Sequence, residues 1–185
     1  SPQYALQCAG IIDCNSGTVD YNKMKTLLQN QIDKGCVLAS LAPYINQNST
    51  TVLSNSAICS QPLTKCPNKV KLYTKNKASS GTLKSWVAKN PVAALVQNAG
   101  VFDNFVGSTI SCTNNDPKDN DLNWALAVVG YDKDKNWYVQ NSRGKGWGNN
   151  GFAYLTHKKE CGLKKRIYRY NWSLGLALSA VLAAV

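Results

Sequence analysis

The sequence predicts a fold that contains both helices and strands. Two apolar runs, 124–129 and 137–139, flank a charged turn and predict a β-hairpin. A glycine-spaced segment at 144–151 follows and predicts an ordered corner, because glycine allows backbone approaches closed to other residues. Earlier in the chain, apolar residues recur at helical spacing and predict an amphipathic helix. Those residues are Tyr21, Met24, Leu27, Leu28 and Ile32.

The remaining elements are short, and each has a local signal. Residues 46–80 are polar and predict a long loop with one candidate strand at 70–73. A short helix is expected to start at Thr82 and to end before Pro91, because the residue ahead of a proline avoids helical geometry. The segment 102–112 is expected to be a loop, and 151–155 a strand.

Seven cysteines in 185 residues favour an oxidising compartment. The Cys8/Cys14 and Cys59/Cys66 spacings do not match a zinc site, so we expect disulfides, no metal and no cofactor. Two glycosylation sequons, at Asn48 and Asn171, are compatible with a secreted glycoprotein. The expected location is therefore the secretory pathway, either outside the cell or in a lysosome-like compartment.

The formal net charge is +11, with basic residues concentrated at 65–77 and 158–169. An anionic partner would explain this charge, but a solvated lysine-rich surface is the simpler interpretation. Specific nucleic-acid binding is not expected, because aromatic residues do not alternate with the basic ones. The apolar run 174–185 is shorter than the about 20 residues that span a bilayer, so we expect a packed helix or weak membrane contact.

Two segments carry a resemblance to a known family. NSRGKGWGNNGF is similar to the NSWGxxWGxxGY signature of papain-like cysteine peptidases, and WALAVVGY resembles their HAVxxVGY strand. The resemblance extends from Ser1 to about Tyr170 and implies an α+β fold of two lobes. It implies a partial helical lobe with disulfide-rich loops at 1–90, truncated at its N-terminal part. A nearly complete β-barrel lobe at 91–170 and an apolar tail at 171–185 complete the expected organisation.

The same alignment places Trp124 where the family has its catalytic histidine. Asn141 matches the asparagine that orients that histidine, and without the histidine it is expected to be vestigial. Arg143 replaces the tryptophan that shields the pair, so the shield is expected to be lost. The family's cysteine nucleophile and oxyanion glutamine belong to a segment upstream of Ser1. The one histidine, His157, is expected to have a structural or surface role.

These substitutions predict a catalytically inactive homologue, a pseudopeptidase, with a binding or structural role in a complex. One alternative is an active endopeptidase whose nucleophile segment lies on another chain. A second alternative is a basic anion- or glycan-binding module on the same fold. The apolar stripe around Leu28 and the inner face of the Trp124 strand have no expected partner within the chain. A protein partner or an N-terminal segment is expected to cover them.

The resemblance also implies a pattern of disulfides. Cys112 is expected to pair with Cys161, which joins the loop before the Trp124 strand to the CGL element. Cys8 is expected to pair with Cys59 or Cys66. Cys14 is expected to be free, or to pair with Cys36 or the remaining member of the Cys59/Cys66 pair.

Overall fold

The computed structural model describes residues 71–114 and 116–171, together with six helical positions between 25 and 33. The expectations for the other five cysteines, the Asn48 sequon and the tail from 172 onward lie outside the described residues. The six helical positions are Lys25, Thr26, Leu28, Gln29, Ile32 and Asp33. They confirm the predicted amphipathic helix in the part that the structure describes.

Within the described residues, seven strands form one sheet in the order β1-β7-β2-β4-β5-β6-β3. All of its neighbouring strands are antiparallel except β3 and β6, which are parallel. The mixed helix-and-strand prediction is therefore confirmed. The elements are β1 (Lys71–Asn76), α1 (Ser80–Val87), β2 (Val92–Val96), β3 (Thr109–Ile110), a 3-10 turn (Asp119–Asp121), β4 (Trp124–Tyr131), β5 (Trp137–Gln140), β6 (Phe152–Leu155) and β7 (Arg166–Asn171).

The predicted hairpin is present as β4 and β5, which pair from Tyr131 opposite Trp137. Asp132 organises the turn, because the backbone N–H and side-chain amide of Asn136 donate to its carboxylate at 2.8 and 2.9 Å. Desolvation acts to raise the pKa of Asp132. The hydrogen bonds from Asn136 and from the backbone of Asp134 lower this pKa, and together they outweigh the desolvation. The net effect is a lowered pKa that keeps the carboxylate ionised in the turn.

Three smaller predictions differ from the structure in their boundaries. The helix α1 begins at Ser80 rather than Thr82, because the Ser79 hydroxyl accepts a hydrogen bond from the Thr82 N–H at 3.0 Å and caps it. The candidate strand at 70–73 is confirmed and continues to Asn76. The expected loop at 102–112 contains the two-residue strand β3.

The sheet is buried on both faces along β2. Alternate residues of this strand point to opposite sides, and all five are buried. The first core holds Val92, Ala94 and Val96 with α1, the hairpin and β6. The second core holds Ala93 and Leu95. Its other buried members are Leu28, Leu122, Ala125, Tyr168 and Tyr170.

Leu28 covers the second core from the helix near the start of the chain. Its side chain is 1% exposed, and Ile32 packs against the same cluster. The Tyr170 hydroxyl donates a hydrogen bond to the Leu28 carbonyl oxygen at 3.1 Å. The expectation that the stripe around Leu28 has no partner within the chain is therefore wrong for Leu28 and Ile32. These residues pack on the sheet because β2, β4 and β7 present a second apolar face.

The predicted disulfide between Cys112 and Cys161 is confirmed, with the two Cα atoms 5.3 Å apart. Both cysteines are buried against the first core. The backbone N–H of Cys112 donates to the Lys159 carbonyl, and Gln97 donates to the Cys161 carbonyl. The bridge therefore holds the end of β2, the segment after β3 and the loop before β7 together.

Removing this bridge should lower the free energy of unfolding. We expect the double variant Cys112→Ala, Cys161→Ala to lose about 2–4 kcal/mol, because the cross-link restricts the unfolded chain across 49 residues. Guanidinium unfolding monitored by tryptophan fluorescence measures the loss. A difference below about 0.5 kcal/mol would mean that the bridge adds nothing beyond ordinary side-chain packing.

Candidate functional site

Trp124 is the first residue of β4, and its position is fixed by the neighbouring strand β2. Val96 lies opposite it in the sheet register. The backbone N–H of Asn123 donates to the Val96 carbonyl at 3.1 Å. The Asn123 side chain accepts from the Asn98 N–H at 2.8 Å. These bonds place the indole at one end of the sheet, where β5 also ends.

Asn141 follows the last residue of β5 and contacts that indole. The indole nitrogen Nε1 of Trp124 donates to Asn141 Oδ1 at 3.2 Å, and the Ser142 backbone N–H donates to the same oxygen at 2.8 Å. Because both partners are donors, the carboxamide oxygen must face them. Asn141 is 4% exposed, and its buried amide nitrogen has no acceptor in the part of the chain that the structure describes.

Arg143 lies over the Trp124 ring, with its guanidinium carbon 4.8 Å from the ring centroid. The same guanidinium forms a salt bridge with Asp103 at 2.5 Å. The expectation that the shield over this pair is lost is therefore wrong. A guanidinium covers the indole, since its planar cation stacks favourably on an electron-rich ring.

The loop that carries Asp103 is attached to the glycine-rich corner. The Trp147 indole N–H donates to the Phe102 carbonyl at 2.7 Å in a buried position. The Gly148 N–H donates to the Phe105 carbonyl, also at 2.7 Å. The predicted ordered corner is thus confirmed, and it holds Asp103 where it can pair with Arg143.

The chemistry available at this site is limited by the indole. An indole N–H donates a hydrogen bond but accepts no proton in the physiological range, so Trp124 cannot act as a general base. The cysteines of the described residues are Cys112 and Cys161, and both are held in a disulfide. The part of the chain that the structure describes therefore contains neither a thiol nucleophile nor a base beside Asn141.

The single histidine lies away from this site. The backbone N–H of His157 donates to the Asn136 side chain at 3.2 Å. Asn136 precedes β5 and Asn141 follows it, so the length of that strand separates His157 from the site. His157 is half-buried, in agreement with a structural position.

The described residues contain neither a cluster of metal-binding side chains nor a membrane-spanning helix. This part of the chain has no group of three or more histidine, cysteine or acidic side chains that could hold a metal ion. None of its helices has the length and apolar character needed to cross a membrane.

Replacing Asn141 with leucine should destabilise the fold. The part-buried indole N–H of Trp124 and the Ser142 backbone N–H then lose their acceptor, and such a loss costs about 1–3 kcal/mol. The control is Asn141→Asp, which keeps an acceptor oxygen at the same position and should lose less. Chemical unfolding of both variants measures the difference. If the aspartate and leucine variants are destabilised equally, the hydrogen bond from Trp124 does not contribute to the stability of the fold.

Comparisons with known proteins agree on one family and one fold. The family model described as papain family cysteine protease matches residues 1–170. Ananain of Ananas comosus is 27% identical over 161 residues, which is 84% of this chain and 42% of ananain. Mouse cathepsin K is 28% identical over 127 residues, which is 65% of this chain and 36% of cathepsin K. This chain therefore spans less than half the length of these relatives.

Among solved structures, a cysteine protease of Carica candamarcensis superposes with a TM-score of 0.65 at 20% identity. The match covers 91% of this chain and 75% of that one. At this identity the likeness establishes the fold, which is α+β and papain-like.

Proposed function

Because the chain belongs to the papain family of cysteine proteases, we propose that it is a member without peptidase activity that acts by binding another protein. One observation carries the proposal: the Trp124 indole donates to Asn141 at 3.2 Å. The sequence resemblance assigns Trp124 to the position of the family's histidine. The orienting asparagine is retained, but the group it orients cannot take a proton.

The hydrogen bond supports a site in which tryptophan has replaced histidine while the contact with asparagine is kept. An asparagine oxygen that accepts from an imidazole N–H can equally accept from an indole N–H, so the pair keeps its geometry while its chemistry changes. A cysteine peptidase needs a base that maintains the thiolate and later returns the proton to the leaving group. Trp124 meets neither need.

The cover over the indole supports the same proposal. Arg143 is held between the Trp124 ring and the Asp103 carboxylate, which fixes its guanidinium over the ring. Its side chain is 34% exposed and that of Asp103 is 47% exposed. An ordered, partly exposed ion pair can make polar contacts with a polypeptide, and it lies where the resemblance assigns the family's shielding tryptophan.

The disulfide between Cys112 and Cys161 supports a location in the secretory pathway, either extracellular or lysosome-like. A binding protein in such a compartment must stay folded, and the disulfide contributes to the stability of the folded state.

The test is an activity measurement on the full-length protein as it is made by its source. We expect no hydrolysis of fluorogenic peptides and no covalent labelling by a thiol-directed epoxide, with papain as the positive control. Hydrolysis that disappears when thiols are blocked would establish the rival function, an active endopeptidase.

A further inference from the structure

The guanidinium of Arg169, on β7, lies against two aromatic rings. Its guanidinium carbon lies 5.1 Å from the centroid of the Tyr73 ring and 5.2 Å from that of Trp86. Its Nε atom is buried and has no hydrogen-bond partner among the described residues. Within the described residues Arg169 makes no salt bridge with a carboxylate. Two rings therefore position a guanidinium whose charge is not compensated by this part of the chain.

Two lysines extend this charge along β1. Side chains two residues apart lie on the same side of a strand, so Lys71 and Lys75 flank Tyr73 on the side that faces Arg169. Both lysines are exposed, and Tyr73 is 39% exposed. We call Lys71, Tyr73, Lys75, Trp86 and Arg169 the β1 cationic surface.

The sequence around this surface contains no compensating acid. Between Lys34 and Phe102 there is no aspartate or glutamate, although the chain has ten acidic residues in all. The described residues show no salt bridge to either lysine of the surface. The positive charge is therefore available to a partner.

Nearby cations are in a different situation. A cavity of about 460 Å³ is lined by Lys164, Lys165, Glu160 and Asp116 among others. Lys164 pairs with Glu160 at 2.8 Å, and Lys165 pairs with Asp116 at 2.6 Å. The hydrogen bond from Lys165 lowers the pKa of Asp116, so this pair stays ionised. Lys164 and Lys165 in that cavity are each paired with an acid, whereas no described acid pairs with the cations of the β1 cationic surface.

We propose that the β1 cationic surface binds a linear anionic polysaccharide that carries sulfate or carboxylate groups. Lys71 and Lys75 lie about 13 Å apart along the strand. One anionic group cannot contact both lysines, so a ligand that binds both must carry several such groups on one chain. A guanidinium held by two rings presents a planar fork of donors suited to sulfate and carboxylate.

Two features favour a polysaccharide over a nucleic acid. The disulfide between Cys112 and Cys161 favours an oxidising, secretory compartment, where sulfated and carboxylated glycans are available as partners. Tyr73 and Trp86 each have a ring face against Arg169, which leaves less aromatic surface for stacking of bases. This inference does not depend on the proposed loss of peptidase activity.

The test measures binding of a heparin-derived octasaccharide to the full-length protein by titration calorimetry at low and physiological salt. We expect affinity that falls as salt rises. The double variant Lys71→Gln, Lys75→Gln should bind about tenfold more weakly, because two charge contacts are lost. The matched control is Lys133→Gln, Lys135→Gln, which removes the same charge from the exposed β4–β5 turn and should change binding less than about twofold.

A third variant tests the guanidinium. Arg169→Lys keeps the charge but loses the planar fork, and we expect it to weaken binding several-fold while melting data show that it remains folded. Three results would overturn the proposal: no binding at low salt, equal losses in the two double variants, or tighter binding of a thymidine oligonucleotide than of the octasaccharide. The last would assign the surface to nucleic acid.

Discussion

A version of the protein with a papain-type nucleophile segment fused ahead of Ser1, and with Trp124 retained, is expected to hydrolyse peptides about a millionfold more slowly than an active member of the family. The thiol in such a protein has no neighbouring base, because the indole that occupies the site only donates a hydrogen bond. Fluorogenic peptide hydrolysis, normalised to thiols titrated with an epoxide probe, measures the difference.

The informative control changes two residues in the same fusion. Trp124→His supplies the base, and Arg143→Trp replaces the guanidinium, which would otherwise disfavour a protonated imidazole beside it. Together they should recover most of the lost rate. If the fusion with Trp124 already matches this double variant, the indole does not prevent catalysis and the proposed function is wrong.

Gly148→Ala is expected to have the largest effect on stability of any small substitution in the glycine-rich corner. Gly148 has a φ of +56°, and an added Cβ would lie 2.3 Å from the backbone oxygen of Phe152. The left-handed backbone costs an alanine about 1–2 kcal/mol. Displacing a backbone oxygen adds about 1–3 kcal/mol, so we expect a total loss of about 3 kcal/mol or more.

The corner provides its own controls for this measurement. Gly146 has no atom within 4 Å of an added Cβ, and Gly146→Ala should be nearly neutral. Gly144 has a φ of +75° but open space around it, so Gly144→Ala should show the cost of backbone strain alone, about 1–2 kcal/mol. Equal effects at Gly144 and Gly148 in guanidinium unfolding would contradict the close contact with Phe152.

The sequence was most informative where a residue type has one structural use. The charged turn between two apolar runs predicted the β4–β5 hairpin, and Pro91 limited α1. Family resemblance implied the bridge between Cys112 and Cys161, and the structure confirms it. The assignment of Trp124 and Asn141 to the family's site remains a prediction, supported by the hydrogen bond between them.

The sequence was least informative where a residue depends on distant partners. Strand β7 was missed because its basic residues suggested a charged surface, and because Ile167 and Tyr168 are buried on opposite faces, which removes the alternation of a half-buried strand. The stacking of Arg143 on Trp124 requires Asp103, forty residues away in sequence. No local pattern could show that these three side chains meet.

The order of strands has a consequence for how the protein is made. Strand β7, the last of the described strands to leave the ribosome, lies between β1 and β2, which are among the first. Until β7 emerges, β1 lacks the neighbour with which it pairs, and the second apolar face of β2 lacks Tyr168 and Tyr170. The sheet can therefore close only after synthesis has passed residue 171. Such long-range pairing slows folding and leaves apolar strands of the nascent chain exposed, which favours aggregation until β7 is in place.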